Sequence, residues 1–195
     1  MAYSIDSSSD NCYEGTSVLI NKLNIRDEQE LSDIEMIITA TKIKQLLDTD
    51  FDGKIDDKYY CSLHKEIFGD IYEWAGTVRT VDLSKKGTSF HRAEDLGIAM
   101  GKLFDRLVKC NYFITDSKEK YVSDIAEFYN DLNLLHPFRE GNGRTQRVLM
   151  TKLIERAGYS IDFSRCDRDL LMIATIHAAQ GVMDQLELFF TNKIQ

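Results

Sequence analysis

Apolar residues recur along most of the chain at the spacing of amphipathic helices. They return every three or four positions, and this period places them on one face of a helix. The segments that we predict as helices are residues 27–47, 57–68, 93–110, 117–135, 143–157, 167–180 and 182–191. The pattern therefore predicts a mainly α-helical protein.

The period changes between residues 77 and 90. Residues 77–83 alternate in the manner of a strand, residues 85–87 are typical of a turn, and residues 88–90 can return as a second strand. Two strands alone are only marginally stable, so this hairpin is expected to lean on the helical body.

Residues 136–147 lie between two predicted helices and read HPFREGNGRTQR. They contain Pro137, the only proline of the chain, which disfavours the helical conformation for His136. The first helix is therefore predicted to end at this point. Gly141 and Gly143 permit backbone angles that other residues avoid. We predict a helix, a tight loop and a second helix.

A loop of this kind is predicted to bind an anion. The N–H groups at the start of the second helix, near Gly143, have no partner within the helix, and the adjacent amides of Gly141 and Asn142 can close on a phosphate. Arg144 and Arg147 lie three positions apart on the opening turn, so both can reach phosphate oxygens.

Two further side chains of the loop suggest chemistry. A carboxylate among phosphate-binding groups is costly unless a cation lies between them, so Glu140 indicates Mg²⁺. His136 has a side chain of near-neutral pKa and can take a proton from an incoming hydroxyl. Together the residues predict chemistry on the phosphates of a nucleotide.

Composition narrows the classes of partner and compartment. The 195 residues, of which 43% are hydrophobic, suit one domain, and only residues 1–11 are predicted to be flexible. The net charge of −8 disfavours nucleic acid and anionic membranes as partners, and no apolar run is long enough to span a bilayer. The four cysteines lie far apart, which favours free thiols and a cytoplasmic location, with delivery into another cell left open.

The loop resembles the full active-site motif of the Fic family, His-x-Phe-x-Glu-Gly-Asn-Gly-Arg-x-x-Arg, at every specified position. Upstream, residues 63–68, residues 72–76 and Arg79 resemble the helix of that family and its lead into a flap, and residues 13–23 resemble its N-terminus. The resemblance implies a Fic-type helical bundle with a small β-hairpin flap, residues 77–90, over the active-site loop. It also implies a protein adenylyltransferase, which transfers AMP from ATP to a Tyr, Ser or Thr hydroxyl of a target protein.

The resemblance implies a role for each residue of the site. His136 is implied to be the general base, and Glu140 is implied to hold Mg²⁺. The residues implied to bind the nucleotide are Phe138, Gly141, Asn142, Gly143, Arg144 and Arg147. The flap residues implied to dock the target by strand addition are Lys85, Lys86, Gly87, Thr88, Ser89 and Phe90.

Two alternatives stay open at this point. The protein could be a binding module that depends on nucleotide without transferring it, or a Fic variant that uses another nucleotidyl donor or removes AMP.

The inhibition of the enzyme is a separate question. Many Fic enzymes carry an inhibitory helix, with the pattern Ser/Thr-x-x-x-Glu-Gly/Asn, whose glutamate pairs with the second arginine of the motif. Only Glu14 and Glu140 precede a Gly or Asn here, and neither has Ser or Thr four positions earlier. Three alternatives follow: a separate small antitoxin protein contacts Arg147, a part of a longer chain does so, or the enzyme is unrestrained. We favour the antitoxin.

Overall fold

The computed structural model describes residues 4–5, 11–85 and 88–195. Its helices are α1 (Glu28–Leu47), α2 (Asp57–Phe68), α3 (Leu96–Lys109), α4 (Lys118–Leu135), α5 (Asn142–Arg156), α6 (Arg168–Ala179) and α7 (Asp184–Lys193). Its strands are β1 (Ser4–Ile5), β2 (Leu83–Lys85) and β3 (Thr88–Ser89). The prediction of a mainly α-helical fold with a small β-hairpin is confirmed.

Four helices begin at a side chain that accepts a hydrogen bond from the first turn. Asp27, Asp56, Ser117 and Asp167 cap α1, α2, α4 and α6 in this way. Such caps satisfy N–H groups that the helix itself leaves unpaired. The predicted starts of these four helices lie within one residue of the observed ones.

Helices α4 and α5 form the centre of the bundle. α4 packs against α3, α5, α6 and α7, while α5 also packs against α1 and α2. Phe128 and Leu132 of α4 and Leu149 and Leu153 of α5 are almost completely buried among them. Because both helices are held on several sides, the short loop that joins them has rigid ends.

The three strands form one antiparallel sheet in the order β1-β2-β3. Lys85 pairs with Thr88 across the hairpin. Lys86 and Gly87, for which a turn was predicted, lie outside the described residues. Ser4 pairs with Ser84, which adds a third strand from the start of the chain. Ser4–Ile5 belongs to the segment predicted to be flexible, and its backbone pairs with one edge of β2.

The predicted first strand is much shorter than expected, because residues 77–82 form no strand. The N–H of Thr77 closes a turn on the carbonyl of Trp74, and the N–H of Arg79 donates to the carbonyl of Pro137 at 2.8 Å. These donors serve a turn and a contact with the active-site loop, so they are unavailable to a sheet. The alternating pattern in this segment therefore overestimated the strand.

Two properties of the described residues bear on the environment of the protein. No helix among residues 11–85 and 88–195 combines the length and the apolar character that crossing a membrane requires. Cys12, Cys61, Cys110 and Cys166 all carry free thiols, as expected.

Candidate active site

The junction between α4 and α5 begins with a residue in an unusual conformation. His136 follows the last residue of α4 with φ 44° and ψ 59°, in the left-handed region. Its N–H still donates to the carbonyl of Leu132, so the helix is closed before Pro137 turns the chain. The helix therefore ends where the proline predicted. A left-handed residue other than glycine costs about 1–3 kcal/mol and persists only where its surroundings hold it.

Glycine stands at positions 141 and 143 of the loop for different structural reasons. Gly141 has φ 79°, and a Cβ built on it would lie 2.2 Å from the ring of Phe68, so only glycine fits. Gly143 lies inside α5 and has no positive φ, so the unusual backbone angles that glycine permits are not used there. A Cβ there would lie 3.2 Å from Nη1 of Arg147, so Gly143 leaves room for that side chain.

Two residues expected to bind the nucleotide, Phe138 and Asn142, have contacts that hold the loop together. The side-chain amide of Asn142 accepts from the N–H of Phe138 at 2.8 Å and donates to its carbonyl at 2.6 Å. The Phe138 ring is fully buried and stacks on the His64 ring at 3.9 Å between centroids. Neither side chain lines the cavity described below, because both are occupied inside the loop and the core.

His64 of α2 fixes the loop from below, a role that the sequence did not reveal. Its Nδ1 accepts from the N–H of Gly76 at 2.9 Å, so its Nε2 carries the proton and donates to the carbonyl of Glu140 at 3.0 Å. Burial lowers the pKa of His64 to about 4, although its hydrogen bond to Glu140 acts in the opposite direction. His64 is therefore a buried histidine with both ring nitrogens hydrogen-bonded.

We expect the folded state to lose stability as the pH falls below about 6.5. In the unfolded chain a histidine has a pKa of about 6.5, whereas the folded protein holds His64 at about 4 and His136 at about 3. The unfolded state therefore binds more protons in this range, and stability rises with pH. Each histidine should cost up to about 2 kcal/mol between pH 7 and pH 5.

Urea unfolding at pH 7 and pH 5 measures this loss. His64→Gln is a suitable comparison, because its amide can still accept from Gly76 and donate to Glu140 but does not titrate. Its free energy of unfolding should fall less between the two pH values than that of the wild type. An equal fall in both proteins would contradict the assignment.

A cavity of about 680 Å³ opens at the start of α5. The residues of the predicted site that line it are His136, Gly143, Arg144, Arg147, Lys85, Thr88 and Phe90. The cavity is of the size that small-molecule ligands occupy. Apolar side chains also line it, namely Ile43 and Leu47 of α1, Ile161, and Leu171 and Ile176 of α6.

Cationic side chains outnumber carboxylates in this cavity. Lys85, Arg144, Arg147 and Arg168 line it, against Glu155 and Asp162. The sequence analysis did not identify Arg168, which lies at the start of α6, far from the motif. In a chain with a net charge of −8, this local excess of positive charge favours an anionic ligand.

His136 lies against the hairpin. Its ring stacks on that of Phe90, with centroids 3.7 Å apart and planes inclined by 5°. Burial lowers the pKa of His136 to about 3, below the near-neutral value expected from the sequence, and the ring is uncharged at neutral pH. Its Nδ1 lies 3.3 Å from the carbonyl oxygen of Asn133, which can only accept, so Nε2 is the nitrogen that can take a proton.

Arg144 is held by a buried carboxylate that the sequence analysis missed. Its Nη2 lies 2.5 Å from Oε1 of Glu35 on α1 and 3.5 Å from Oε1 of Glu140, and its Nη1 donates to the Thr39 hydroxyl at 3.2 Å. The Tyr72 hydroxyl donates to the other oxygen of Glu35. The only signal in the sequence was a glutamate on the same helical face as apolar Leu31, which did not identify its partner.

Arg147 differs from Arg144 in its partners. It makes a side-chain hydrogen bond with Tyr129, and burial, together with the nearby Arg168 and Arg144, lowers its pKa. Within the part of the chain that the structure describes, no carboxylate forms a salt bridge with Arg147. Its positive charge is therefore available to an anion in the cavity.

Glu140 lies beside the cavity, in contact with Arg144, but does not line it. Its Oε1 accepts from the N–H of Gly141 at 2.8 Å, so this amide of the predicted anion hole is already bonded. The N–H groups of Asn142 and Gly143 remain at the open first turn of α5. Oε2 of Glu140 makes no hydrogen bond with any described residue, and such an oxygen suits a hard cation.

Only some residues of the predicted docking flap line the cavity. Ser89 is exposed and does not line the cavity, whereas Lys85, Thr88 and Phe90 do. Lys86 and Gly87 lie outside the described residues. His91, which follows the hairpin, is exposed, and its N–H donates to the carbonyl of Leu134.

The helical bundle, the loop of residues 136–147 and the adjacent hairpin together define the class of protein to which the chain belongs. The chain belongs to the Fic/DOC family, whose model matches residues 54–154. It is 36% identical over 171 residues to the probable protein adenylyltransferase y4lH of Sinorhizobium fredii, covering 87% of this chain and 88% of that relative.

Two solved structures from Bartonella have the same fold. The BepC protein of Bartonella tribocorum, a VirB-translocated effector with bound AMPPNP, has a TM-score of 0.89 at 25% identity, and the match covers 95% of this chain and 96% of that one. The N-terminal Fic domain of a VirB-translocated effector from Bartonella quintana, with bound ADP, has a TM-score of 0.89 at 28% identity, with 95% and 94% covered. The family resemblance of the sequence is confirmed.

Proposed function

We propose that this protein is a protein adenylyltransferase, which transfers AMP from ATP to a tyrosine, serine or threonine hydroxyl of a target protein. The observation that carries the proposal is the cavity, which four cationic side chains and one uncharged imidazole line together. Polyphosphate needs the cations, and deprotonation of a hydroxyl needs the neutral base. The names of the relatives agree, since one is a probable adenylyltransferase and two are Fic proteins with bound AMPPNP or ADP.

In the proposed reaction the target hydroxyl oxygen attacks the α-phosphorus of ATP. A bond forms between that oxygen and phosphorus, and the bond from phosphorus to the bridging oxygen of the β-phosphate breaks. Pyrophosphate leaves with the electron pair, and Nε2 of His136 takes the hydroxyl proton. Arg144, Arg147 and the first N–H groups of α5 bind the phosphates, and the apolar side chains that line the cavity accept the base.

We propose Mg²⁺ as the metal and Glu140 as its protein ligand. The free Oε2 of that carboxylate fits a hard cation, and Mg²⁺ is often held by one carboxylate together with substrate phosphates. When bound, the metal neutralises phosphate charge and helps to orient the chain of phosphates. Among the described residues no group of three metal-binding side chains occurs, so phosphate and water oxygens would complete the shell.

Replacing Glu140 with glutamine should raise the Mg²⁺ concentration needed for half-maximal transfer, because a neutral amide is a poorer ligand for a hard cation. The amide can still accept from the N–H of Gly141, so the loop should survive. Glu66→Gln is a matched control, since Glu66 makes an exposed salt bridge with Lys42 on the opposite side of α2 from His64. An unchanged magnesium titration in Glu140→Gln would remove this residue from the metal site.

Mass spectrometry tests the reaction itself. The protein is incubated with Mg-ATP and cell extract, and modified proteins are identified by the mass of the added group. AMP on a hydroxyl of a target supports the proposal, and another nucleotide group would identify a different donor. If no protein gains mass while ATP binds to the cavity, the chain acts as a binding module, and the proposed transfer is wrong.

We also propose that a segment of the target adds as a strand to the hairpin. β3 is an outer strand of the sheet, and it leads directly into Phe90, which touches the His136 ring. A proline at Ser89 removes an N–H from this strand and should slow transfer to protein more than it weakens ATP binding. Calorimetry with ATP supplies the comparison, and an equal loss in both measurements would argue against docking on β3.

We further propose that a separate small antitoxin protein restrains the enzyme by presenting a carboxylate to Arg147. This arginine carries no salt bridge with a described carboxylate, whereas Arg144 already pairs with Glu35. The protein expressed alone should therefore bind ATP and transfer AMP, and Arg147→Ala should weaken ATP binding. If the isolated protein is inactive until Glu35 is replaced by alanine, the inhibition lies within this chain.

We propose that the protein is located in the cytoplasm, a reducing compartment. Its four free thiols support this inference, because such thiols persist where disulfides are kept reduced. Fractionation of the producing cells measures the location, and recovery only from the medium would contradict it.

A further inference from the structure

The guanidinium of Arg79 donates hydrogen bonds to three backbone carbonyls. Nε lies 2.8 Å from the carbonyl oxygen of His136, and Nη1 and Nη2 lie 2.5 Å and 2.6 Å from those of Val81 and His91. Val81 precedes strand β2 and His91 follows strand β3. One side chain therefore joins both ends of the hairpin to the residue at the end of α4.

Backbone hydrogen bonds make the same connection beside it. The N–H of Arg79 donates to the carbonyl of Pro137 at 2.8 Å, and the N–H of His91 donates to the carbonyl of Leu134 at 3.0 Å. The base of the hairpin is also closed by the Asp82 carboxylate, which accepts from the N–H of Ala93. The hairpin and the active-site loop thus meet along one hydrogen-bonded seam, with Arg79 at its centre.

Burying the charged side chain of Arg79 costs desolvation free energy. It is 5% exposed, and burial lowers its pKa, with Asp82 acting in the opposite direction. Within residues 11–85 and 88–195 it forms no salt bridge, so backbone carbonyls alone satisfy its donors. A planar guanidinium can reach three carbonyls in fixed directions, whereas the single ammonium of a lysine cannot reproduce that fork.

The backbone conformation of His136 indicates what the hydrogen bond from Arg79 does. Its left-handed backbone, with φ 44°, is unfavourable for a residue that is not glycine, and such a residue needs contacts that hold it. Nε of Arg79 holds its carbonyl, while the stacked Phe90 at the end of the hairpin meets its ring. The orientation of the imidazole and the position of the hairpin are therefore linked through one guanidinium.

We propose that Arg79 is a positioning residue, which holds the backbone of His136 and the base of the hairpin in one geometry. A hydroxyl docked on the hairpin then lies in a constant relation to Nε2 of His136. The expected effect of Arg79 on the transfer rate rests on the proposed function. Its effect on the position of the hairpin does not. Arg79 does not line the cavity, so nucleotide binding is expected to be independent of it.

The kinetic test compares the wild type with Arg79→Met and Arg79→Lys. The rate of transfer of labelled AMP from Mg-ATP to proteins of a cell extract should fall by about 10- to 100-fold in both, because small misplacements of reacting groups carry losses of that order. The dissociation constant for ATP, from calorimetry, should be unchanged. Arg156→Met is the matched control, since Arg156 also donates to a backbone carbonyl, that of Gly53, away from the hairpin. Its transfer rate should match the wild type.

Hydrogen–deuterium exchange tests, without reference to activity, whether Arg79 holds the hairpin in place. In Arg79→Met the amides of β2, β3 and Phe90 should exchange faster, while those of α2 and α5 keep the wild-type rate. Faster exchange over the whole chain would make Arg79 a general stabilising residue and overturn the proposal. Unchanged exchange in the hairpin, or full transfer activity in Arg79→Lys, would also overturn it. If the wild type transfers no AMP, the adenylyltransferase proposal is refuted. The exchange experiment would still test whether Arg79 positions the hairpin.

Discussion

Replacing His136 with alanine is expected to lower the rate of AMP transfer by about 10²- to 10⁴-fold, the usual cost of losing a general base. The imidazole is the only neutral base that the cavity brings close to both the hairpin and the first turn of α5 among the described residues. ATP binding should persist, because Arg144, Arg147 and Gly143 supply the phosphate contacts and are unchanged. Label transfer at saturating Mg-ATP and calorimetry with ATP measure the two quantities.

A second substitution separates the chemistry of His136 from its backbone. Alanine in the left-handed region adds strain, whereas asparagine visits that region several times more often than most residues. His136→Asn should therefore be more stable than His136→Ala and equally inactive. A recovery of transfer in the asparagine variant would mean that the backbone, and not the base, limits the reaction.

Gly141→Ala is expected to have the largest effect on stability among single substitutions in the loop. The new Cβ would need φ 79° and would lie 2.2 Å from the ring of Phe68, which is itself fully buried. The left-handed backbone costs about 1–2 kcal/mol, and forcing the ring aside in a packed core adds about 1–3 kcal/mol. Urea unfolding should show this loss, and transfer should be abolished because α5 can no longer begin at Asn142.

Gly158→Ala provides the matched control. Gly158 has φ 82°, close to that of Gly141, but a Cβ built on it meets no atom within 4 Å. Its substitution should therefore show only the backbone cost, about 1–2 kcal/mol, with transfer retained. Equal losses in the two variants would show that the contact with Phe68 contributes nothing and that backbone conformation alone requires glycine at position 141.

The helices and the chemistry of the loop could be predicted because their signals are local. Asp27, Asp56, Ser117 and Asp167 mark helix starts through hydrogen bonds that span two or three residues. Pro137 and Gly141 likewise act on the backbone at their own positions. A continuous motif also places its candidate base, anion site and arginines without any knowledge of the rest of the chain.

The uses of Phe138, Asn142 and residues 77–82 could not be predicted in the same way. Alternation along residues 77–82 resembled a strand, but tertiary contacts with the loop took the N–H of Arg79. Phe138 and Asn142 belong to the motif, yet the first fills the core beside His64 and the second bonds to the backbone of the first. A motif gives residue types, and packing decides which of them face a ligand.

The sequence alone determined the mainly helical fold, the helix–loop–helix at residues 136–147 and its family, because each depends on short-range backbone preferences or on one continuous pattern. The tertiary structure alone decided the partners of the site. Glu35 reaches Arg144, His64 reaches the carbonyl of Glu140, and Arg79 reaches that of His136 across 57 or more positions of the chain. The physical reason is burial, since desolvated charges and imidazoles must find hydrogen bonds wherever the folded chain brings a partner within reach.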